Sequence, residues 1–233
     1  MMPATIHAPK PISATLVERY GPVMRRRRMS PLIRMIADCH RRNGRADIID
    51  IGGTSRFWKT AVGPSLDEFN AHVRVVNLPG VEKPRIEGRM IFEDSDGCDL
   101  SAYGDASFDI AFSNSVIEHV GDWGRMRSFA NEVRRVARAY FVQTPNFWFP
   151  VEPHCVTPFF HWLPFASRVW LLRHFDLGYW RGRKSVDAAV ATAESARLLS
   201  APMMAELFPE ADILKERFLF LPKSIIAVCP ENQ

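Results

Sequence analysis

Short runs of branched apolar residues recur along the chain, each closed by glycine or polar residues, and several gaps between them carry apolar positions at three- and four-residue spacing. The first pattern reads as strands buried on both faces, the second as amphipathic helices packed against them. Strands are expected at ADIIDI (46–51), VRVVNL (73–78), RMIFED (89–94), FDIAFSN (108–114), AYFVQTPN (139–146), RFLFL (217–221) and SIIAVCP (224–230). The clearest helix runs from Asp122 to Ala137, where Trp123, Met126, Phe129, Ala130, Val133 and Val136 share a face. Residues 14–42 read as one or two helices, with Ser30-Pro31 starting the second and Asn43-Gly44 ending it. Strand–helix alternation predicts an α/β fold: a seven-stranded, mostly parallel sheet with helices on both faces. The two closely spaced terminal strands predict an antiparallel hairpin at its edge.

Residues 147–180 break this rhythm, holding eleven of the twenty-six aromatic residues, and five of the seventeen prolines fall within 145–164. A segment too apolar for a linker and too interrupted for one helix predicts a cap over the sheet. The expected organisation is therefore a basic helical N-terminal segment (1–45) and a main domain (46–233) with an aromatic, proline-rich cap insertion at about 147–205.

Composition narrows the class. The hydrophobic fraction of 47% and charged fraction of 24% are those of a globular chain and exclude a disordered or collagen-like one. No apolar run is long enough to span a bilayer, and the first twenty residues lack the pattern of a secretory signal. Cys39, Cys98, Cys155 and Cys229 are far apart with no C-x-x-C pair, which suits a reducing compartment, so a cytoplasmic location is expected. The net charge of +4 is unevenly spread, because residues 1–45 hold nine arginines and Lys10 against only Glu18 and Asp38. The run Arg25 to Arg28 reads either as a solvated helix face or as a docking site for an anionic partner, including a membrane surface.

The chemistry-bearing residues follow the strands. Asp50-Ile51-Gly52-Gly53-Thr54 closes the first strand, where glycines let the backbone approach a ligand at the carboxyl end of a parallel sheet. Asp96-Gly97-Cys98-Asp99-Leu100 comes next, then Ser107-Phe108-Asp109-Ile110-Ala111-Phe112-Ser113-Asn114-Ser115-Val116-Ile117-Glu118-His119-Val120. In this order and at these separations the motifs resemble class I S-adenosylmethionine-dependent methyltransferases, especially the methyltransferase type 11-like group. That group's usual pattern is D-h-G-C-G-T-G after the first strand, G-D-A-x-D-L-P after the third and S-F-D-x-h-h-S-x-x-h-h-E-H-h at the fourth. The match covers about residues 46–146.

The resemblance implies a Rossmann-like fold, an enzyme and the cofactor S-adenosyl-L-methionine. It implies that Asp50 orients the turn and the cofactor's amino group, with Gly52, Gly53 and Thr54 bordering the methionine and ribose portions. Asn77, followed by Leu78, stands where the group usually has an acid holding both ribose hydroxyls; an amide can accept one hydrogen bond and donate another. Asp96 matches the acid that receives the adenine amino group, with Gly97 beside the ring, and Ser113 and Asn114 match the methyl-donor end. Thr54 and Arg56 replace two further glycines, so the loop must take another path. A nicotinamide site is disfavoured because G-x-G-x-x-G is absent.

Methyl transfer from a sulfonium needs no protein nucleophile, only alignment, exclusion of water and, for a hydroxyl acceptor, a base. His119 follows the fourth strand, and His154 in Pro150-Val151-Glu152-Pro153-His154 follows the fifth at the same sheet edge. Either imidazole is a candidate catalytic base; the alternatives are a hydrogen-bonded turn at Glu118-His119 and a buried histidine in a proline-rich turn. In small-RNA ribose methyltransferases a related E-x-x-E-H arrangement with a further histidine binds a divalent ion. Ser115 here removes one hard oxygen ligand, so no metal is expected, Glu118, His119 and His154 being at most a weak set.

The function expected is O-methylation of a small-molecule, saccharide or lipid-linked acceptor under the aromatic cap. The alternative is a non-catalytic module docking on anionic partners through the N-terminal segment. Nucleic acid is disfavoured as a substrate because the basic residues are not interleaved with the aromatics. The sequence specifies neither the acceptor nor the oligomeric state.

Overall fold

The computed structural model describes residues 12–62 and 65–231, with side chains described from Arg28 onward. The described part of the chain opens with helix α1 (Ile12–Asn43) and enters strand β1 (Ala46–Ile51), the turn α2 (Ser55–Phe57), a π-helical turn at Trp58–Val62 and the short α3 (Ser65–Glu68). Strands β2 (Ala71–Asn77), β3 (Arg85–Glu87), β4 (Met90–Asp94) and β5 (Phe108–Asn114) follow, then α4 (Trp123–Val136) and β6 (Ala137–Pro145). The aromatic-rich segment after β6 holds β7 (Val151–Glu152), β8 (Thr157–Pro158), α5 (Phe165–His174) and α6 (Val186–Glu194). Helix α7 (Ala201–Leu207) and strands β9 (Asp212–Phe218) and β10 (Leu221–Cys229) complete it.

The main sheet has eight strands in the order β3-β4-β2-β1-β5-β6-β10-β9. The five central strands β4, β2, β1, β5 and β6 are mutually parallel, whereas β3, β10 and β9 pair antiparallel at the edges. From β1 the chain moves one way through β2 to β4 and then returns to the other side at β5, so the strand order reverses between β1 and β5. Ligands bind at such a reversal, outside the carboxyl ends of the strands.

Each face of the sheet carries its own core. On one, Met29, Leu32 and Ile36 of α1 pack with Trp58, Val73 and Phe141; on the other, Met126, Phe129 and Val133 of α4 pack with Ile49, Leu207 and Phe208. Asp122 caps α4, its carboxylate accepting from the Arg125 amide at 2.9 Å.

The fold refines the sequence reading at four places. Of the one or two helices read over residues 14–42, the structure has one, α1, continuous through Pro31. A proline inside a helix costs roughly 3 kcal/mol, but Met29, Leu32, Met35, Ile36 and Cys39 are all buried along its inner face. At about 1.5–3 kcal/mol for each large apolar side chain, that burial outweighs the break. The eighth strand is β3, a three-residue edge strand too short and polar to show as a hydrophobic run. RFLFL is not one strand: Arg217 and Phe218 end β9, Leu219 and Phe220 form the turn, and Leu221 opens β10. The β9 strand was hidden by its polar, half-exposed edge pattern. Finally, the segment expected to form a cap leaves and rejoins the sheet at one point, where Phe147 N–H donates to the Leu199 carbonyl. Its separate small core is Cys155, Phe160, Leu172, Ala189 and Ala193, while Met204 and Leu207 of α7 belong to the main core.

The basic run predicted as a docking face falls mainly on residues 25–27, which lie outside the described side chains. Arg28 pairs with Glu216 of β9 at 3.3 Å. Among the described residues, no helix is long and apolar enough to cross a membrane.

Candidate functional site

The turn after β1 is built around a buried carboxylate. Asp50 has 0% exposure, and its Oδ2 accepts from the indole Nε1 of Trp58 at 2.5 Å. Its Oδ1 is also buried and has no hydrogen-bond partner among the described residues. Burial pushes the carboxyl up to about 7, opposed by the Trp58 hydrogen bond. Gly53 lies directly over this group, and a Cβ there would overlap the Asp50 carboxylate. Gly52 adopts φ +82° against Val116, which a Cβ would meet at 2.5 Å. Thr54 caps α2 with its hydroxyl 3.4 Å from the Phe57 amide. Thr54 and Arg56, which stand in place of the two glycines, are exposed, and Phe57 stacks on Phe112 at 5.1 Å; none of the three lines the cavity beside the turn.

That cavity, of about 310 Å³, opens at the ends of β1, β2, β4 and β5 and is lined by Gly52, Asn77, Leu78, Asp96, Gly97 and His119, among others. Asn77 donates from Nδ2 to the Gly53 carbonyl at 3.0 Å, tying the end of β2 to the glycine turn. Asp96 accepts from the Cys98 amide at 2.9 Å and from Arg125 Nη2 at 2.8 and 3.0 Å. Its pKa is lowered because these hydrogen bonds outweigh its partial burial. Gly97 sits against Ile51, which a Cβ would meet at 2.6 Å. Ser113 is buried and donates to the Ile51 carbonyl at 3.0 Å, locking β5 to β1. Asn114 ends β5 with a buried, unpartnered Oδ1, and the wall at this end of the cavity is formed by Ser115 and Val116.

The two predicted histidines meet. His119, in the 3-10 turn after β5, and His154, in the turn between β7 and β8, approach Nε2 to Nε2 at 3.0 Å. Each is anchored through its other nitrogen, His119 Nδ1 by the Ser195 carbonyl at 2.6 Å and His154 Nδ1 by Glu152 at 2.7 Å. Both anchors are acceptors, so both Nδ1 atoms carry the proton. Glu152 is held by the Cys155 amide at 2.8 Å. Desolvation by the surrounding protein lowers the pKa of His119; at His154 desolvation acts in the same sense, but Glu152 outweighs it and the pKa is raised. Glu118, 1% exposed, accepts from Thr144 at 3.0 Å, and burial raises its carboxyl to about 7.

Residues 69–140 match a family model described as a methyltransferase domain. That match spans about a third of the chain, and the fold around it is the one seen in S-adenosylmethionine-dependent methyltransferases. A SAM-dependent methyltransferase from Archaeoglobus fulgidus has the same fold, with a TM-score of 0.53 at 12% identity over 94% of this chain and 100% of that one. A 1,6-didemethyltoxoflavin-N1-methyltransferase from Burkholderia thailandensis, solved with 1,6-didemethyltoxoflavin and S-adenosylhomocysteine, gives 0.48 at 16% identity, covering 97% and 92%. An O-methyltransferase family protein from the same organism gives 0.46 at 13% identity; it covers 92% of this chain, which spans 59% of that protein. No curated protein matches the chain.

The turn after β1 has features that suit S-adenosyl-L-methionine, the cofactor that the sequence resemblance implies. An unpartnered, buried Asp50 Oδ1 suits the cofactor's ammonium group, and Gly52 and Gly53 leave the backbone bare where a larger residue would collide. Sequence reasoning missed Trp58, whose place eight residues after Asp50 carries no periodic signal, and Arg125, which shares Asp96 from the next helix. It also missed the Ser195 carbonyl, because no side-chain pattern reports a backbone acceptor.

Proposed function

We propose that this protein transfers the methyl group of S-adenosyl-L-methionine to a hydroxyl of a small-molecule, saccharide or lipid-linked acceptor. S-adenosyl-L-methionine supplies an electrophilic methyl sulfonium. Asp50 binds the ammonium end, Asn77 offers its amide oxygen to the ribose, and Asp96 keeps lone pairs for an adenine amino group beside those used by Arg125 and Cys98. Thr54 fixes the turn, and Ser113 holds the two central strands in register beneath the site.

The observation that carries the oxygen reading is the His119–His154 pair. With both Nδ1 protons committed to acceptors, two Nε2 lone pairs point at one another at the edge of the cofactor cavity. A proton taken from an acceptor hydroxyl can be shared between them, and the Glu152 carboxylate behind His154 stabilises the resulting charge. Nitrogen acceptors need no such proton sink before attack. The cap's aromatic rings, including Phe147, Phe160 and Trp180 around a second cavity of about 320 Å³, suit a ring-shaped or apolar acceptor.

Transfer of labelled methyl groups from S-adenosyl-L-methionine to a panel of hydroxylated metabolites, sugars and lipid-linked saccharides tests this reading. Methylation at oxygen should appear and should fall about 10²–10⁴-fold in kcat for His119→Ala, with a much smaller change in cofactor affinity. Methylation confined to nitrogen, or undiminished in His119→Ala, would reject it. The non-catalytic alternative is not favoured, since the turn keeps its glycines and a buried Asp50 oxygen without a partner among the described residues.

A further inference from the structure

Three electron-rich groups converge at one point beside the cofactor cavity. The donor assignments at His119 and His154 leave both Nε2 atoms as lone pairs, 3.0 Å apart. The third group is Glu118, whose Oε1 is buried without a hydrogen-bond partner among the described residues. One ligand atom from each of the three lies within 4.8 Å of the others. Two facing lone pairs repel, and a buried carboxylate oxygen without a partner is costly. A single shared proton relieves the two nitrogens and leaves the carboxylate oxygen unmet. One dication relieves all three.

We propose that Glu118, His119 and His154 form a binding site for a divalent transition-metal ion, with Zn²⁺ or Co²⁺ the best match. Two imidazoles and one carboxylate favour such ions over Mg²⁺, which prefers an all-oxygen shell. Three protein ligands leave coordination positions for an exogenous oxygen. The outer shell is in place: the Ser195 carbonyl and the Glu152 carboxylate hold the two Nδ1–H groups, fixing the tautomers that direct Nε2 toward an ion. Thr144 holds the other oxygen of Glu118, and the Arg197 amide holds the Glu118 carbonyl at 2.7 Å.

The site rests on geometry alone, but its role rests on the oxygen-acceptor reading above. With the ion bound, the acceptor hydroxyl meets the ion instead of a free imidazole, and its proton passes to water.

The test uses the full chain, dialysed against a chelator and titrated with Co²⁺ by optical absorption and with Zn²⁺ by calorimetry. One equivalent should bind, with the intense visible bands of a low-coordinate cobalt site. His119→Ala and His154→Ala should each weaken binding by about 100-fold or more, and Glu152→Gln, which acts only through His154, by about 10–100-fold. S-adenosylhomocysteine binding by each variant reports whether the fold and cofactor site survive, and His154→Gln substitutes if His154→Ala does not fold. Absence of the bands, or bands unchanged in the His154 and Glu152 variants, would overturn the proposal. Loss of nucleoside binding with metal binding intact would instead sink the cofactor reading alone.

Discussion

The indole of Trp58 donates to Asp50 at 2.5 Å, and this is the only hydrogen bond that the buried carboxylate receives from the described residues. Asp50 is therefore buried at a cost in stability. Its pKa is about 7 in the folded protein against an ordinary 3.8, so the folded state holds a proton that the unfolded state has released over that interval. Stability is highest near and below the lower value, falls as pH rises toward about 7, and carries the full penalty above it. Asp50→Asn removes the penalty. Denaturation should show the variant more stable by up to roughly 4 kcal/mol at neutral pH and little different near pH 4. A pH-independent difference would mean that Asp50 is ionised throughout.

Cofactor binding should carry the opposite trend. An ammonium group is best met by an ionised Asp50, so S-adenosylhomocysteine affinity should rise with pH up to about 7 and level off above it. Calorimetry across pH 5.5 to 8.5 should show that rise in the native protein and a weaker, flat profile in Asp50→Asn. Parallel profiles would place the ammonium elsewhere.

Trp58 supports the same group from behind. Trp58→Phe keeps the packing surface but removes the donor, so it should destabilise the protein by about 1–3 kcal/mol at neutral pH. Paired with Asp50→Asn, the loss should shrink, because a neutral amide depends less on the indole. Additive losses in thermal or denaturant unfolding would show that Trp58 contributes by packing alone.

The parallel core of the fold was legible because each central strand is buried on both faces and reads as an unbroken apolar run, as in Ile48–Ile51 and Ile110–Phe112. The edges were not: β9 alternates polar and half-buried positions, and β3 is only three residues long. At the site, the residues that the family resemblance singled out were ones placed at or just after strand ends. Asp50, Asn77 and Asp96 all lie beside the strand reversal. What the sequence could not disclose was how partners divide these groups, such as Arg125 across Asp96, since that depends on the approach of α4 to the loop after β4. The meeting of His119 and His154 was open for the same reason: thirty-five residues separate them, and only the cap's return beside Ser195 sets their orientation.

Asn77 gives the sharpest contrast between motif and geometry. Where the related methyltransferases usually carry an acid, an aspartate at this position would be expected to grip the ribose more tightly. Here, however, the amide Nδ2 is spent on the Gly53 carbonyl at 3.0 Å, and that bond holds the glycine turn against β2. Asn77→Asp would replace the donor with a carboxylate oxygen facing a carbonyl oxygen, in a position only 7% exposed. The turn would lose its tie and the new charge its solvation. S-adenosylhomocysteine affinity should therefore fall by about tenfold, equivalent to about 1.4 kcal/mol, while Asn77→Ala should lose a similar amount without the charge penalty to stability. Tighter binding by Asn77→Asp would show that the ribose, and not the glycine turn, decides the choice of residue at the end of β2.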